Sequence, residues 1–166
     1  MTAMVLRARS GPRRLLALLG AALVVGAVSE RAPAQQKAAE YEVSVWEIRA
    51  TRDNDKISKE LRSLAAELKK RYKYTGYTLV KKSAGSAKEG GAFSASLSGG
   101  YRAKVTPLAR EGQRITLKVQ VAKPDDKKAP GVNTTFKIDR GAVQLAAGLG
   151  KYGGSDDVMI VGVSAR

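Results

Sequence analysis

The chain has 166 residues, of which 30 are Lys or Arg and 15 are Asp or Glu, so its formal net charge is +15 at pH 7. It contains neither cysteine nor histidine. Their absence excludes disulfide frameworks, zinc sites built from these residues and catalytic triads that use them. A hydrophobic fraction of 43% is close to that of ordinary folded domains, so we expect a globular protein of one domain.

Residues 1–34 have the three parts of a bacterial signal peptide. Four arginines and no acid precede the 14-residue apolar run Leu15–Val28, which is shorter than the roughly 20 residues of a membrane-spanning helix. A small-x-small triplet ends at Ala34, so we predict cleavage there and no transmembrane span afterwards. An uncleaved anchor is the alternative, and the Arg-Arg pair leaves general secretory and twin-arginine export open. We therefore expect a periplasmic or secreted protein of the bacterial cell envelope.

The first part of the mature chain predicts a strand followed by a helix. Residues 35–40 are polar and predict a flexible lead-in, and residues 41–49 alternate with apolar side chains on both faces, as in a covered strand. A helix is predicted from Asp55 to Tyr72, after a cluster of helix-capping residues at 53–55. One helical stripe carries its apolar residues, which are Ile57, Leu61, Leu64, Ala65, Leu68 and Tyr72.

The rest of the chain predicts short strands joined by turns, with a loop at 83–91 and a glycine-rich loop at 148–157. The predicted strands are 77–82, 93–97, 101–107, 114–123, 134–139, 143–145 and 158–163. The last of these is apolar throughout, which is typical of a central strand. We predict that residues 41–166 form a single α+β domain, with one amphipathic helix packed on a mainly antiparallel, curved sheet of about eight strands. A β-sandwich with a capping helix is the alternative.

Two segments resemble known families. The strand ending in Phe136–Gly141, the following Ala142–Leu145, the glycine-rich link and the apolar strand Val158–Val163 resemble the paired strands of secretin-type outer-membrane ring proteins. The helix followed by Tyr72–Tyr77 is similar to an uncharacterised family of small exported bacterial proteins. The second resemblance covers most of the mature domain and implies export without a known activity.

A basic segment with interleaved tyrosines, residues 69–82, is the candidate binding site. It contains six basic residues and no acid, and such a pattern can bind a polyanion through cations and rings. The predicted polyanion-binding residues are Lys69, Lys70, Arg71, Lys73, Lys81, Lys82, Tyr74 and Tyr77. The alternative is a solvated helix end, where cations favour the helix dipole.

Motifs for catalysis, metals and cofactors are absent from the sequence. The acids at 53 and 55 are interpreted as helix caps, and no acid stands in an apolar context that would raise its pKa. We therefore predict no catalytic residues, no metal and no cofactor. The leading hypothesis is an exported, non-enzymatic cell-envelope protein that acts by binding or assembly, with an envelope protein or a second copy as partner. A polyanion-binding protein for anionic glycan, lipid or nucleic acid is the alternative, and a small hydrolase using carboxylates alone is the third.

Overall fold

The computed structural model describes residues 39–125, 131–152 and 155–166. The predicted signal peptide and residues 35–38 of the predicted lead-in lie outside the described residues, and Glu40 already belongs to the first strand. A 3-10 helix at Lys59–Leu64 continues into the helix α1, Ala65–Arg71. The strands are β1 Glu40–Thr51, β2 Gly76–Lys88, β3 Phe93–Ser96, β4 Arg102–Glu111, β5 Arg114–Ala122, β6 Val132–Asp139, β7 Val143–Lys151 and β8 Val158–Ala165.

The strands form two four-stranded antiparallel sheets rather than one. Sheet A has the order β2-β1-β8-β7, and sheet B has the order β3-β4-β5-β6. The predicted α+β class is therefore wrong, and the β-sandwich that we kept as its alternative describes the fold better. The physical reason is the apolar area that has to be covered. A seven-residue α-helix cannot cover one sheet of eight strands, so the strands form two sheets whose apolar faces cover each other.

The hydrophobic core lies mainly between the two sheets. Alternate residues of β1, β4, β5 and β8 meet there, with Val43, Val105, Leu117 and Val161 all fully buried. A smaller cluster lies between α1 and the other face of sheet A, around Ile48, which is also fully buried. Because β1 and β8 are the inner strands of sheet A, the predictions of two-sided burial for β1 and of a central position for β8 are confirmed.

The helix is shorter than predicted and begins later. Residues 55–58 are extended, because Ile57 forms a parallel bridge with Tyr77 of β2. Ser58 stands at the N-cap position without capping the helix, since its Oγ accepts a hydrogen bond from the backbone N–H of Leu79. Asn54 Oδ1 accepts from the N–H of Lys56, two residues on, so the polar cluster at 53–55 forms a local turn instead of a cap.

Strands extend into two of the predicted loops. β2 continues through the small residues of 83–88, pairing with β1 as far as Lys88. Small side chains suit this place, since a Cβ on Gly85 would clash with the ring of Phe93. β7 likewise extends to Lys151 within the predicted glycine-rich loop. The predicted turns at 99–100, 111–112 and 139–141 are confirmed, with positive φ at Gly99, Gly112 and Gly141.

Candidate functional site

The helix α1 lies over the outer face of sheet A, and its residues contact both edge strands of that sheet. Its approach is fixed at β2 by the bridge between Ile57 and Tyr77. Its far end is fixed at β7, where Arg71 Nη1 donates a hydrogen bond of 2.9 Å to the carbonyl oxygen of Leu145. Arg71 also makes an ion pair of 3.4 Å with Glu67 one turn earlier. The exposed side chains of Lys69 and Lys70 belong to the last turn of the helix.

The other predicted cations lie elsewhere. Lys81 and Lys82 are on β2, four and five residues beyond Tyr77, so about 14–17 Å of strand separates them from the place where β2 contacts the end of α1. They also point to opposite faces of sheet A. Lys81 is the cross-strand neighbour of Glu47 in the register, and its Nζ donates to the carbonyl oxygen of Ser96. The Nζ of Lys82 lies 4.4 Å from the centre of the Trp46 ring.

The two predicted tyrosines are held by the fold. Tyr77 is fully buried, and its hydroxyl lies 2.7–3.1 Å from the carbonyl oxygens of Leu68, Tyr72 and Tyr74. Burial raises the pKa of the Tyr77 hydroxyl, which therefore stays protonated and can donate to these carbonyls. Tyr74 lies under the guanidinium of Arg52, 5.0 Å from the ring centre. Lys73 is exposed after the helix. The predicted polyanion-binding residues therefore lie in several parts of the fold and do not form one continuous surface.

A different basic surface does form a continuous plane, on the outer face of sheet B. We call it the cationic face. The strand register places its side chains in cross-strand rows, in which Ser94, Lys104, Gln120 and Asn133 stand side by side on β3, β4, β5 and β6. The whole cationic face consists of Ser94, Ser96, Arg102, Lys104, Thr106, Thr116, Lys118, Gln120, Asn133 and Thr135.

The cations of this face follow one line. Arg102 and Lys104 are two residues apart on β4, about 6.8 Å along the strand. Thr106 is the next residue of β4 on this face, and Lys118 of β5 is its cross-strand neighbour. Among the described residues, no carboxylate lies within ion-pair distance of these three cations. A shallow groove of 260 Å³ runs between Arg102, Lys104 and Gln120.

The acids of sheet B are confined to one end and are paired there. Glu111 accepts from Lys137 at 2.9 Å, and Asp139 lies 3.5 Å from Arg114. The hydrogen bond from Lys137 lowers the pKa of Glu111, which keeps this carboxylate ionised and engaged with its own partner. The cationic face itself is therefore free to attract anions. The sequence carries a signal for it, since the polar side of the predicted strand 114–123 holds Thr116, Lys118 and Gln120.

Aromatic rings are absent from the cationic face among the described residues. Phe93, Tyr101 and Phe136 point inward and pack against the core between the sheets. The cationic face thus offers cations, hydroxyls and amides but no platform for stacking. This combination suits a ligand rich in negative charge and hydroxyl groups more than one with exposed bases.

Two buried acids escaped the sequence analysis. Glu47 is 1% exposed between the sheets, and both of its oxygens lie 3.1–3.2 Å from the N–H of Ser98. Asp157 is 3% exposed and pairs with Arg49. A hydrogen bond from the Thr51 side chain lowers the pKa of Asp157, as does Arg49, while burial opposes them. Trp46 and Ile48, the apolar neighbours of Glu47 on β1, were the signal in the sequence from which its burial could have been predicted.

Neither a metal cluster nor a membrane-spanning helix was found in the described part of the chain. In those residues, no three side chains of Asp or Glu converge as a metal ion requires. The helical segments within the same ranges are too short and too polar to cross a bilayer.

These features define a two-sheet antiparallel β-sandwich with a helical cap and a cationic outer face. No protein-family model matches the chain, and no curated protein matches it. Among solved structures it shows weak similarity to the "InvG secretin domain beta-barrel from Salmonella SPI-1 injectisome NC-base", with 11% identity and a TM-score of 0.39. The match covers 78% of this chain and 63% of that chain. The predicted secretin resemblance thus has a weak structural counterpart, while the resemblance to an uncharacterised exported family stays a prediction.

Proposed function

We propose that this protein is an exported, non-enzymatic component of the bacterial cell envelope that binds an anionic polymer through the cationic face. The observation that carries the proposal is the line of Arg102, Lys104 and Lys118, which has no carboxylate within ion-pair distance among the described residues. Residues 35–166 keep 25 Lys or Arg and 14 Asp or Glu, a net charge of +11, which favours the approach of polyanions over longer distances. Export rests on the N-terminal segment, whose features are those of a signal peptide.

An acidic polysaccharide is the polymer that the surface chemistry favours. Lys and Arg bind carboxylate, sulfate or phosphate groups, and the Ser, Thr, Asn and Gln side chains beside them can exchange hydrogen bonds with sugar hydroxyls. Single-stranded nucleic acid depends on aromatic stacking, and the rings of sheet B are turned into the core. A nucleic-acid ligand is therefore the competing outcome in the test.

A binding role is also supported by how the two buried acids are used. Asp157 is paired with Arg49, and Glu47 accepts from the backbone of Ser98. Both carboxylates are thereby committed to contacts that hold the fold together. A hydrolase with carboxylates alone needs two acids that face a common substrate, so these contacts favour the non-enzymatic reading.

Heparin affinity chromatography tests the proposal. We expect the full chain to be retained, and the double variant Lys104→Glu/Lys118→Glu to elute at much lower salt. Each lost ionic contact should reduce the slope of log K against log salt by roughly 0.7–0.9, the range known for nucleic acids. Lys69→Glu/Lys70→Glu makes the same charge change at the end of α1 and should elute close to the unaltered protein.

If Lys69→Glu/Lys70→Glu eluted at much lower salt and Lys104→Glu/Lys118→Glu did not, the binding site would be the basic segment 69–82. That result would refute the cationic face as the site. Equal salt sensitivity of both would mean that only net charge matters, which also contradicts the proposal. Competition separates the polymer classes: soluble polygalacturonate should displace the protein from heparin more efficiently than oligo(dT) of equal charge. A stronger effect of oligo(dT) would identify a nucleic-acid ligand instead.

Assembly through a sheet edge is a second candidate, favoured by the composition of β7. This edge strand has no charged residue from Val143 to Gly150, whereas the other edge of sheet A carries Lys81, Lys82 and Lys88 on β2. Charged lysines protect an edge from pairing, and an uncharged edge can accept a further strand. The partner is a second copy of this chain or a strand of another envelope protein.

Sedimentation velocity tests self-assembly through β7. We expect oligomers at micromolar concentration, and their loss in the variant Gln144→Lys/Gly150→Lys, which places two charges on this edge. The matched control is Ala84→Lys/Ser86→Lys on β2, which should not change the oligomeric state. A monomer at every concentration, or equal effects of the two variants, would rule out self-assembly by this edge.

A further inference from the structure

The helix leaves part of the outer face of sheet A uncovered. The helical segments pack over Ile48 and Ile160. The first residues of β1 and the last residues of β8, which pair with each other, have no helix above them. A depression of 160 Å³ lies there, on the side of the sandwich opposite to the cationic face. We call it the Trp46 pocket. It is lined by Glu42, Ser44, Trp46, Lys82, Val143, Ser164 and Arg166, with Gly141 and Ala165.

Small residues at paired positions create the floor of the Trp46 pocket. Ser44 of β1 stands opposite Ser164 of β8, and Trp46 stands opposite Gly162. A Cβ on Gly162 would lie 3.3 Å from Cγ1 of Val143 and 3.5 Å from Cβ of Trp46. The absence of a side chain at this one position therefore keeps the space beside the indole open.

One buried polar group of the Trp46 pocket has no partner in the described part of the chain. The indole Nε1 of Trp46 is buried and lacks an acceptor. A buried donor left unpaired is unfavourable, and a bound ligand with an acceptor atom can supply the missing partner. The hydroxyls of Ser44 and Ser164 line the same pocket.

The charges around the pocket favour an anion. The ammonium of Lys82 lies over the Trp46 ring at 4.4 Å, and none of the ion pairs found among the described residues includes it. Glu42 and Arg166 neutralise each other at the rim through two hydrogen bonds of 2.9 Å. Lys82 is therefore the cationic side chain of the lining that has no carboxylate partner among the described residues.

We propose that the Trp46 pocket binds a single sugar ring that carries a carboxylate, the chemistry of a uronic acid. The carboxylate pairs with the ammonium of Lys82, which moves from the indole face to meet it. The sugar hydroxyls bind Ser44 and Ser164, and the apolar edge of the ring lies against Trp46, as aromatic residues favour. The proposal does not depend on the proposed function, since it concerns the opposite side of the sandwich.

Trp46 is the only tryptophan of the chain, so its fluorescence reports occupancy of the pocket directly. The full chain is titrated with D-glucuronate, and D-glucose and acetate are titrated separately as probes of the hydroxyl and carboxylate parts. We expect a saturable change with D-glucuronate at a lower midpoint than with either partial ligand. Isothermal titration calorimetry gives the dissociation constant independently of the fluorescence of each variant.

Two variants and one control locate the contacts. Lys82→Met keeps an unbranched side chain that is one atom shorter and removes the charge, and should weaken D-glucuronate binding at least about tenfold. Ser44→Val should also weaken it, whereas Lys81→Met, on the same strand but the opposite face of the sheet, should not. An equal response to acetate or to D-glucose, or equal dissociation constants for Lys82→Met and Lys81→Met, would overturn the proposal. Lys104→Glu/Lys118→Glu should bind D-glucuronate as tightly as the unaltered protein does, so a failure to bind D-glucuronate leaves the cationic face untouched.

Discussion

Replacing Tyr77 with alanine is expected to lower the free energy of unfolding by about 3–5 kcal/mol. Tyr77 is the second residue of β2. It is fully buried beneath the helical segment, and its ring belongs to the cluster formed with Leu61 and Leu68. Its loss leaves a cavity that the surrounding side chains fill only in part. Since small domains are stable by only about 5–15 kcal/mol, this change removes a large share of the total. Urea denaturation followed by Trp46 fluorescence measures it.

The hydroxyl of Tyr77 can be tested apart from its ring. It lies within hydrogen-bond distance of three carbonyl oxygens where α1 ends, those of Leu68, Tyr72 and Tyr74. Tyr77→Phe should therefore cost about 1–2 kcal/mol, because a carbonyl loses its donor in a buried place. Tyr101→Phe is the matched control, since the Tyr101 hydroxyl makes none of the hydrogen bonds found in the described residues. Equal, negligible costs for both variants would contradict the role of the Tyr77 hydroxyl at the helix end.

Replacing Asp157 with asparagine is expected to lower the free energy of unfolding at pH 7 by about 1–3 kcal/mol. Removing one partner of a fully buried ion pair costs more, but Arg49 is 45% exposed and solvent screens the interaction. Asp156→Asn is the control at the next position, where the side chain is 92% exposed. That variant should leave the free energy of unfolding unchanged within error.

The same contact predicts a pH dependence of known sign. The pKa of Asp157 is lowered from 3.8 by Thr51 and Arg49 against the effect of burial. A carboxyl whose pKa is lower in the folded than in the unfolded state stabilises the fold above the unfolded pKa. This stabilisation is lost as the pH falls below about 4 and through the folded pKa. Between pH 7 and pH 3, the unaltered chain should lose more stability than Asp157→Asn, and parallel pH curves would disprove the assignment.

The strands were predictable because their periodicity is local. Residues 114–123 alternate strictly, and β5 occupies Arg114–Ala122 with its apolar side buried. The glycine turns were predictable for the same reason, since positive φ is a property of single residues such as Gly112 and Gly141. The extension of β2 through 83–88 was not, because small polar residues form a strand there only when Phe93 and β1 are in place to contact them.

The helix shows how tertiary contacts override a local pattern. The apolar stripe from Ile57 to Tyr72 predicts one continuous helix, but the bridge from Ile57 to Tyr77 and the hydrogen bond from Leu79 to Ser58 hold its first turn extended. The buried Leu61 and Leu68 are nevertheless on the predicted apolar face. The pattern thus identified the buried side of the segment and failed on its length.

The candidate site was the hardest part to predict because charge on a surface depends on which strands become neighbours. Lys69 and Lys82 are close in sequence, yet Lys69 stands on the helix, while Lys82 lies five residues along β2 from Tyr77, the residue of β2 that contacts the end of that helix. Lys104 and Lys118 are separated by a hairpin, yet antiparallel register brings their rows together on sheet B. The sequence by itself determined the charge, the lack of cysteine and histidine, the alternation of the strands and the positions of the turns. Only the tertiary structure decided that the strands divide into two sheets and which cations share a face, since strand pairing joins residues that are distant in the chain.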